Sequence, residues 1–214
     1  MRHRPEVLLG MRQADHGGHV AGDVHPHVAP APTSAGIGLR IRGYVVDMVI
    51  FASVAMSVGA LAGGLLLATT HGGKTDPSDR QFYTFFAIIG IGTPALWSLL
   101  NLSLLAWRGQ TGGQYMAGSR MQRDNGSPLT LRAVVAWWCC FNPLLFSWPM
   151  ACITALPLAL VSQLLFGTVV AVGFGVLAMA CAVAPVIALL SALVDSRHRT
   201  LHDRLVGTIA ALAG

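Results

Sequence analysis

The chain has 214 residues, of which 54% are hydrophobic and only 11% are Asp, Glu, Lys or Arg, and its mean hydropathy is +0.61. A soluble domain carries about 25% charged residues, so this composition excludes a soluble globular protein and indicates an integral membrane protein. The formal net charge of +5 lies in the segments between apolar stretches, where it orients a membrane protein, and we expect no nucleic-acid partner.

Residues 1–36 differ in composition from the rest of the chain. They are rich in Gly, Pro and His and show no apolar periodicity. Such a segment cannot bury enough apolar surface to fold by itself. We therefore predict a disordered N-terminal tail over residues 1–36.

Four apolar stretches follow the tail, and each is long enough to cross a bilayer, for which about 20 residues suffice. We place these spans at about 43–68, 82–107, 134–160 and 168–194. The first holds Asp47 as its only charge, and the second is broken by Pro94. The third contains several prolines, so it is either bent or consists of an interfacial segment followed by a short span. The sequence thus predicts an all-α, polytopic bundle of four transmembrane helices, with a C-terminal segment at 195–214.

The distribution of positive charge predicts how the bundle is oriented. The segment between the first two spans, residues 71–81, is electrically balanced, whereas the segments before the first span, between the second and third, and after the fourth are basic. The arginines of these basic segments are Arg2, Arg4, Arg12, Arg40, Arg42, Arg108, Arg120, Arg123, Arg132, Arg197, Arg199 and Arg204. Because basic segments stay in the cytoplasm, both termini of this multi-pass membrane protein are predicted to lie there.

Two spans carry small-residue faces suited to close contact between helices. Gly59 and Gly63 are four residues apart in the first span, and Ala171 and Gly175 have the same spacing in the fourth. Small side chains let helix backbones approach each other in a membrane. These faces suit either the interior of the bundle or a second membrane protein.

The sequence contains none of the residue groupings that carry catalysis. It has no nucleophile with a recognisable local signature, no phosphate-binding glycine loop of Walker type, and no pair of carboxylates within the spans. His198 and His202 share a helix face but have no third ligand beside them. We therefore expect no enzymatic activity, no cofactor and no metal site.

Three segments, in the same order along the chain, resemble the RDD family of bacterial membrane proteins. They are Arg40 to Asp47, with Gly43 in place of the usual Ala; Gly109 to Ala133, with Gln114 in place of the usual Lys; and Leu201 to Thr208, with its His-Asp pair. The resemblance spans residues 39–208 and implies a small helical membrane domain, which we place at 37–210, in a bacterial plasma (inner) membrane. It points to Arg40, Asp47 and Asp203, and a transport role has been proposed broadly for the family.

An ionised Asp within a span is costly, at roughly 2.5–3.5 kcal/mol at the centre of a helix and less near the interface. Arg40 precedes Asp47 by almost two helical turns and so shares its face, about 10 Å away along the axis. We predict a polar cluster at the cytoplasmic side formed by Arg40, Asp47, Arg120 and Asp203, with Arg204 as a further candidate. The cluster either fastens the loop and the tail to the helices or forms a cation or proton site.

Two functional hypotheses follow. In the first, the protein is an accessory subunit that packs on a larger membrane complex through its small-residue faces and its basic loop. In the alternative, it is a small transporter or cation/proton exchanger that uses Asp47. The expected partners are the lipid bilayer and a membrane protein, which is either a different chain or a second copy of this one.

Overall fold

The structure, a computed structural model, describes residues 33–140, 142, 145 and 147–213. In this part of the chain, four helical units are long and apolar enough to cross a membrane: Ile37–Thr69, Asp79–Arg108, Trp148–Leu165 and Thr168–Val194. The predicted membrane bundle with four spans is confirmed. The predicted tail lies outside the described residues, except for its last four.

Helix α1, Ile37–Thr69, begins six residues before the predicted first span. Its 33 residues extend for about 50 Å, more than the roughly 30 Å of the hydrocarbon core, so the helix continues beyond its apolar stretch. The buried stripe of α1 repeats every three or four residues: Gly43, Asp47, Phe51, Ala55, Val58 and Ala62. The buried carboxylate of Asp47 is thus on the face that packs against the rest of the protein.

The second span is continuous, although its hydrogen-bonding pattern changes in the middle. Helix α2, Asp79–Ala87, passes through a π-helical turn, Ile88–Gly92, into helix α3, Thr93–Arg108. The ring of Pro94 would clash with the carbonyl of Gly90 in a regular α-helix, and the wider turn accommodates it. The break predicted at Pro94 is therefore a local widening of an unbroken helix.

The predicted third span, 134–160, is wrong as a single helix. Helix α5, Leu131–Cys139, ends before Asn142, and a new helical unit consists of α6, Trp148–Met150, a π-helical turn, Ala151–Ala155, and α7, Leu156–Leu165. A residue that precedes a proline rarely adopts the helical conformation, and Asn142 is followed by Pro143 in the sequence. The structure matches the second predicted alternative, in which a separate segment precedes a short span.

Helix α8, Thr168–Val194, packs against α7, and its buried side chains are small, but they are not the predicted ones. Its buried positions are Ala178, Cys181, Ala184, Ala188 and Ala192. At Gly59, Gly63 and Gly175 an added Cβ would meet nothing within 4 Å, and Ala171 is only half-buried. The predicted small-residue faces therefore do not form close contacts within the described part of the chain.

The all-α prediction needs one correction, because a small sheet joins three segments at one end of the bundle. Strand β1, Ser119–Arg123, follows the short helix α4, Gly112–Ala117, and strand β2, Thr208–Leu212, follows the short helix α9, Leu201–Val206.

The two strands are antiparallel, with Ser119 opposite Leu212 and Arg123 opposite Thr208. Ser34, which was predicted to belong to the tail, bridges to Ala211 on β2. We call β1, β2 and this bridging segment the terminal sheet. It places the chain before α1, the loop between the second and third spans, and the C-terminal segment on one face of the bundle.

Candidate functional site

Asp47 is bound by two donors from the loop between the second and third spans. The side chain of Asp47 is buried, and its Oδ2 accepts a hydrogen bond of 2.6 Å from Thr111 Oγ1. Its Oδ1 accepts a bond of 2.8 Å from the backbone N–H of Gly113. Both carboxylate oxygens therefore hold the start of α4 against α1.

The local sequence fixes the positions of these two donors. Thr111 is the N-cap of α4, and its hydroxyl also accepts from the N–H of Gln114, while the Gln114 side chain accepts from the N–H of Thr111. This reciprocal capping box fixes the first turn of α4. Gln114 thus caps the start of α4 through its side-chain amide, and this role does not need a positive charge at position 114.

Gly113 makes the close approach between α4 and α1 possible. A Cβ at this position would collide with the carbonyl oxygen of Gly43 and would lie 2.7 Å from Asp47 Cγ. A Cβ at Gly43 would meet Gly113 O at 3.4 Å, which is an ordinary contact. The crossing therefore requires glycine at 113, whereas position 43 has room for an alanine.

Asp203 forms a second buried carboxylate site, in which four donors from different elements meet. Its Oδ2 accepts from Arg40 Nη1 at 2.7 Å and from the N–H of Thr200 at 3.2 Å. Its Oδ1 accepts from Trp137 Nε1 at 2.8 Å and from Thr208 Oγ1 at 3.3 Å. One side chain thus joins α1, α5, α9 and β2. We call Asp47 with its donors and Asp203 with its donors the two carboxylate clasps.

A small cavity lies between the clasps. Its volume is about 90 Å³, and its walls include Arg40, Tyr44, Asp47, Trp137 and His202. Toward the middle of the membrane, the next turn of α1 places Phe51 against Trp97, with ring centroids 5.5 Å apart in an edge-to-face arrangement. Both rings are almost fully buried, so apolar side chains lie on the inner side of the Asp47 clasp.

Comparison with known proteins gives one match. The RDD family model matches residues 34–207, which include all four candidate spans and both carboxylates with all of their donors except Thr208. The chain belongs to the RDD family. No curated protein and no solved structure matches it.

In this RDD protein, the structure brings some of the predicted cluster together and separates the rest. Arg40 and Asp203 form an ion pair, but Asp47 is bound by the loop instead of by Arg40. Arg120 and Arg204 are exposed, so their inclusion in the cluster was wrong. Strand β1 alternates its side chains, and the pairing with β2 buries Ser119 and Met121 while it turns Arg120 outward.

Sequence reasoning predicted Arg40 beside Asp203 but missed the other donors of the two RDD clasps. Thr111 and Gly113 stand in a quoted motif, so a signal for them existed, but spacing alone does not assign them to Asp47. Trp137 lies in a long apolar block in which its polar N–H gives no signal. Thr208 lies at the start of a strand that was not predicted.

The charges near Asp203 favour its ionised form. Burial raises the pKa of this carboxyl, but its charge interactions with His202 and Arg40 and its hydrogen bonds from Arg40 and Trp137 outweigh burial and hold the pKa below its usual value. Burial lowers the pKa of His202, whose Nε2 lies 3.1 Å from Thr200 Oγ1, so its ring is neutral at neutral pH. Arg40 is therefore the counter-ion of Asp203.

Proposed function

We propose that this RDD-family membrane protein is a non-enzymatic accessory subunit of a larger membrane complex, in which the two carboxylate clasps hold the loop and the C-terminal segment as a fixed face. The observation that carries the proposal is that both buried carboxylates are bound by donors of the protein itself. Asp47 has two such donors and Asp203 has four. Carboxylates bound in this way stabilise an arrangement of segments and do not require a ligand.

The positions of the ionisable residues within the spans support the same role. Within the four candidate spans, no Asp, Glu, Lys, Arg or His lies deeper in the membrane than Asp47. Phe51 and Trp97 cover the inner side of the Asp47 clasp. Ion and proton pathways through membranes are marked by ionisable groups at such depths, and their absence from the described spans therefore favours an accessory subunit over an ion or proton carrier.

An exposed stripe of small side chains on α1 supports a membrane-protein partner. Ser53, Ser57, Ala60 and Gly64 are exposed and recur every three or four residues, beside the half-buried Gly59. A Cβ added at Gly64 would meet nothing within 4 Å. Stripes of this kind permit a second helix to approach closely in a bilayer.

Native mass analysis after extraction in a mild detergent tests this proposal. We expect the 22.5 kDa chain to run in a larger assembly, and Gly64→Leu to release it. Gly173→Leu is the matched control, because Gly173 is also an exposed glycine with open space around it, on α8. A wild-type chain that always runs alone would contradict the proposal, as would two variants that release the assembly equally.

One observation favours the alternative, a small transporter or cation/proton exchanger that uses Asp47. Asp47 lines the cavity between the clasps, and an exchanger would take up its proton or cation from this cavity. Reconstitution of wild type and Asp47→Asn in liposomes tests this alternative. The accessory role predicts flux no greater than that of empty liposomes, whereas flux that Asp47→Asn abolishes would establish the exchanger.

We also propose that the face with the terminal sheet lies in the cytoplasm of a bacterial plasma membrane. The arginines of the C-terminal segment and of the loop between the second and third spans lie on this face. Basic segments of this kind stay in the cytoplasm. Labelling of intact cells with an impermeant maleimide tests this orientation, with Lys74→Cys and Arg204→Cys as reporters and wild type as the control for native cysteines. We expect label on Lys74→Cys alone, and the reverse pattern would contradict the orientation.

A further inference from the structure

A second, larger cavity opens on the outer surface of the bundle, between the start of α1 and the end of α8. Its volume is about 310 Å³, and its walls include Ile41, Tyr44, Trp148, Pro185 and Leu189. Almost all of the wall surface is apolar. We call it the α1–α8 groove.

The position of the groove in the bundle indicates what surrounds it. Both of its long walls belong to candidate membrane spans, and Ile41, Val186 and Leu189 are each more than a third exposed. Arg40 is in the first turn of α1 and Ala192 in the last turn of α8, so one end of the groove lies where both helices leave the membrane. Pro185 is nine residues before the end of α8, so the groove reaches about 13 Å toward the middle of the membrane.

Two residues that line the groove, Arg40 and Tyr44, carry buried donors without a partner among the described residues. Arg40 gives one Nη1 hydrogen bond to Asp203, but its Nε and Nη2 are buried without an acceptor among the described residues. The hydroxyl of Tyr44, one helical turn deeper, is in the same state. Buried donors without partners are unfavourable, and a ligand with acceptor oxygens at this position would satisfy them.

The positive charge around the groove favours lipids with an anionic headgroup. The face of the bundle at this end carries the exposed Arg42, Arg197 and Arg204 beside the Arg40–Asp203 pair. Basic groups at a membrane surface attract anionic headgroups. A molecule with a negatively charged headgroup, oxygen acceptors and an apolar chain matches the charge, the donors and the walls together.

We propose that the α1–α8 groove binds one anionic phospholipid, with an acyl chain along Pro185 and Leu189 and with phosphate or ester oxygens accepting hydrogen bonds from Arg40 and Tyr44. Binding at this position would bridge the first and last spans beside the Asp203 clasp. The site is separate from the stripe on α1 that the proposed subunit role uses, so each proposal can fail without the other.

Native mass spectrometry of the detergent-purified protein tests the site. The probes are phosphatidylglycerol and phosphatidylcholine with identical acyl chains. We expect one saturable phosphatidylglycerol adduct and at least about tenfold weaker binding of phosphatidylcholine. Leu189→Trp fills the groove and should remove the adduct, whereas Leu190→Trp, exposed on the same helix but outside the groove, should keep it.

Tyr44→Phe provides a milder variant, because it removes a hydroxyl that bonds no described protein group and so leaves the fold intact. Loss of one hydrogen bond predicts about two- to tenfold weaker binding of phosphatidylglycerol. The proposal is overturned if no saturable adduct forms, if both lipids bind equally, or if the two Trp variants behave alike. An unchanged affinity in Tyr44→Phe would also overturn the assignment, because water alone would then satisfy that hydroxyl.

Discussion

Gly113→Ala tests the crossing on which the Asp47 clasp depends. The new Cβ would collide with the Gly43 carbonyl and lie 2.7 Å from Asp47 Cγ and Oδ2, so α4 has to move away from α1. Overpacking typically costs about 1–3 kcal/mol. The displaced N–H of Gly113 also loses its 2.8 Å bond to a charged acceptor, which is worth about 1.5–3 kcal/mol.

Because the two costs arise from one displacement, we expect a combined loss of about 3 kcal/mol rather than their full sum. For a chain of this length, that corresponds to a fall in Tm of about 6–12 °C, measured by scanning fluorimetry in detergent. Gly43→Ala is the matched control on the other side of the crossing. Its Cβ makes only an ordinary 3.4 Å contact, and Ala suits a helix interior better than Gly by about 0.5–1 kcal/mol. A Gly113→Ala protein as stable as Gly43→Ala would refute the geometry.

Two further predictions concern the other clasp. Asp203→Asn leaves the largely buried Arg40 without a counter-ion, which should cost about 3 kcal/mol and lower Tm by about 6–12 °C. Asp76→Asn, at an exposed carboxylate, should change Tm much less, and equal shifts would contradict the clasp. The second prediction concerns His202, whose pKa is lowered by burial. As pH falls, the unfolded chain therefore takes up a proton on this side chain near pH 6.5, before the folded chain does. The free energy of unfolding should decrease below about pH 6.5, by at most about 1.4 kcal/mol per pH unit. His202→Gln should flatten the decline of Tm between pH 7.5 and 5.5, and an unchanged decline would show that His202 does not cause it.

The parts of the fold that follow from long-range apolar composition were predictable. The fourth predicted span coincides with α8. The first and second differ from the structure only at their ends, because hydropathy locates the apolar core of a helix and not its capped termini. The third span was misplaced because the apolar block from Ala133 to Val194 offers no charge to mark a boundary. Its division depends on prolines and on local caps such as Ser147.

The terminal sheet and the clasp donors depend on contacts between distant segments. Strand β1 has the sequence Ser-Arg-Met-Gln-Arg, whose polarity resembles a loop, and it becomes a strand only through its pairing with β2. The pairing of Arg40 with Asp203 was predictable from opposite charges at one membrane level. The donors to Asp47 were not, because a backbone N–H and a threonine hydroxyl occur everywhere in a sequence.

The central claim is that Asp47 holds the loop against the first span, and amide hydrogen exchange in lipid nanodiscs measures this most directly. Asp47→Ala removes both acceptors of the clasp, so the amides of α4 should exchange about 10- to 100-fold faster, while those of α8 keep their wild-type rates. Ser53→Ala is the control, because the Ser53 hydroxyl bonds only to the carbonyl of Val49 in its own helix. Exchange of α4 that is the same in Asp47→Ala, Ser53→Ala and wild type would contradict the account.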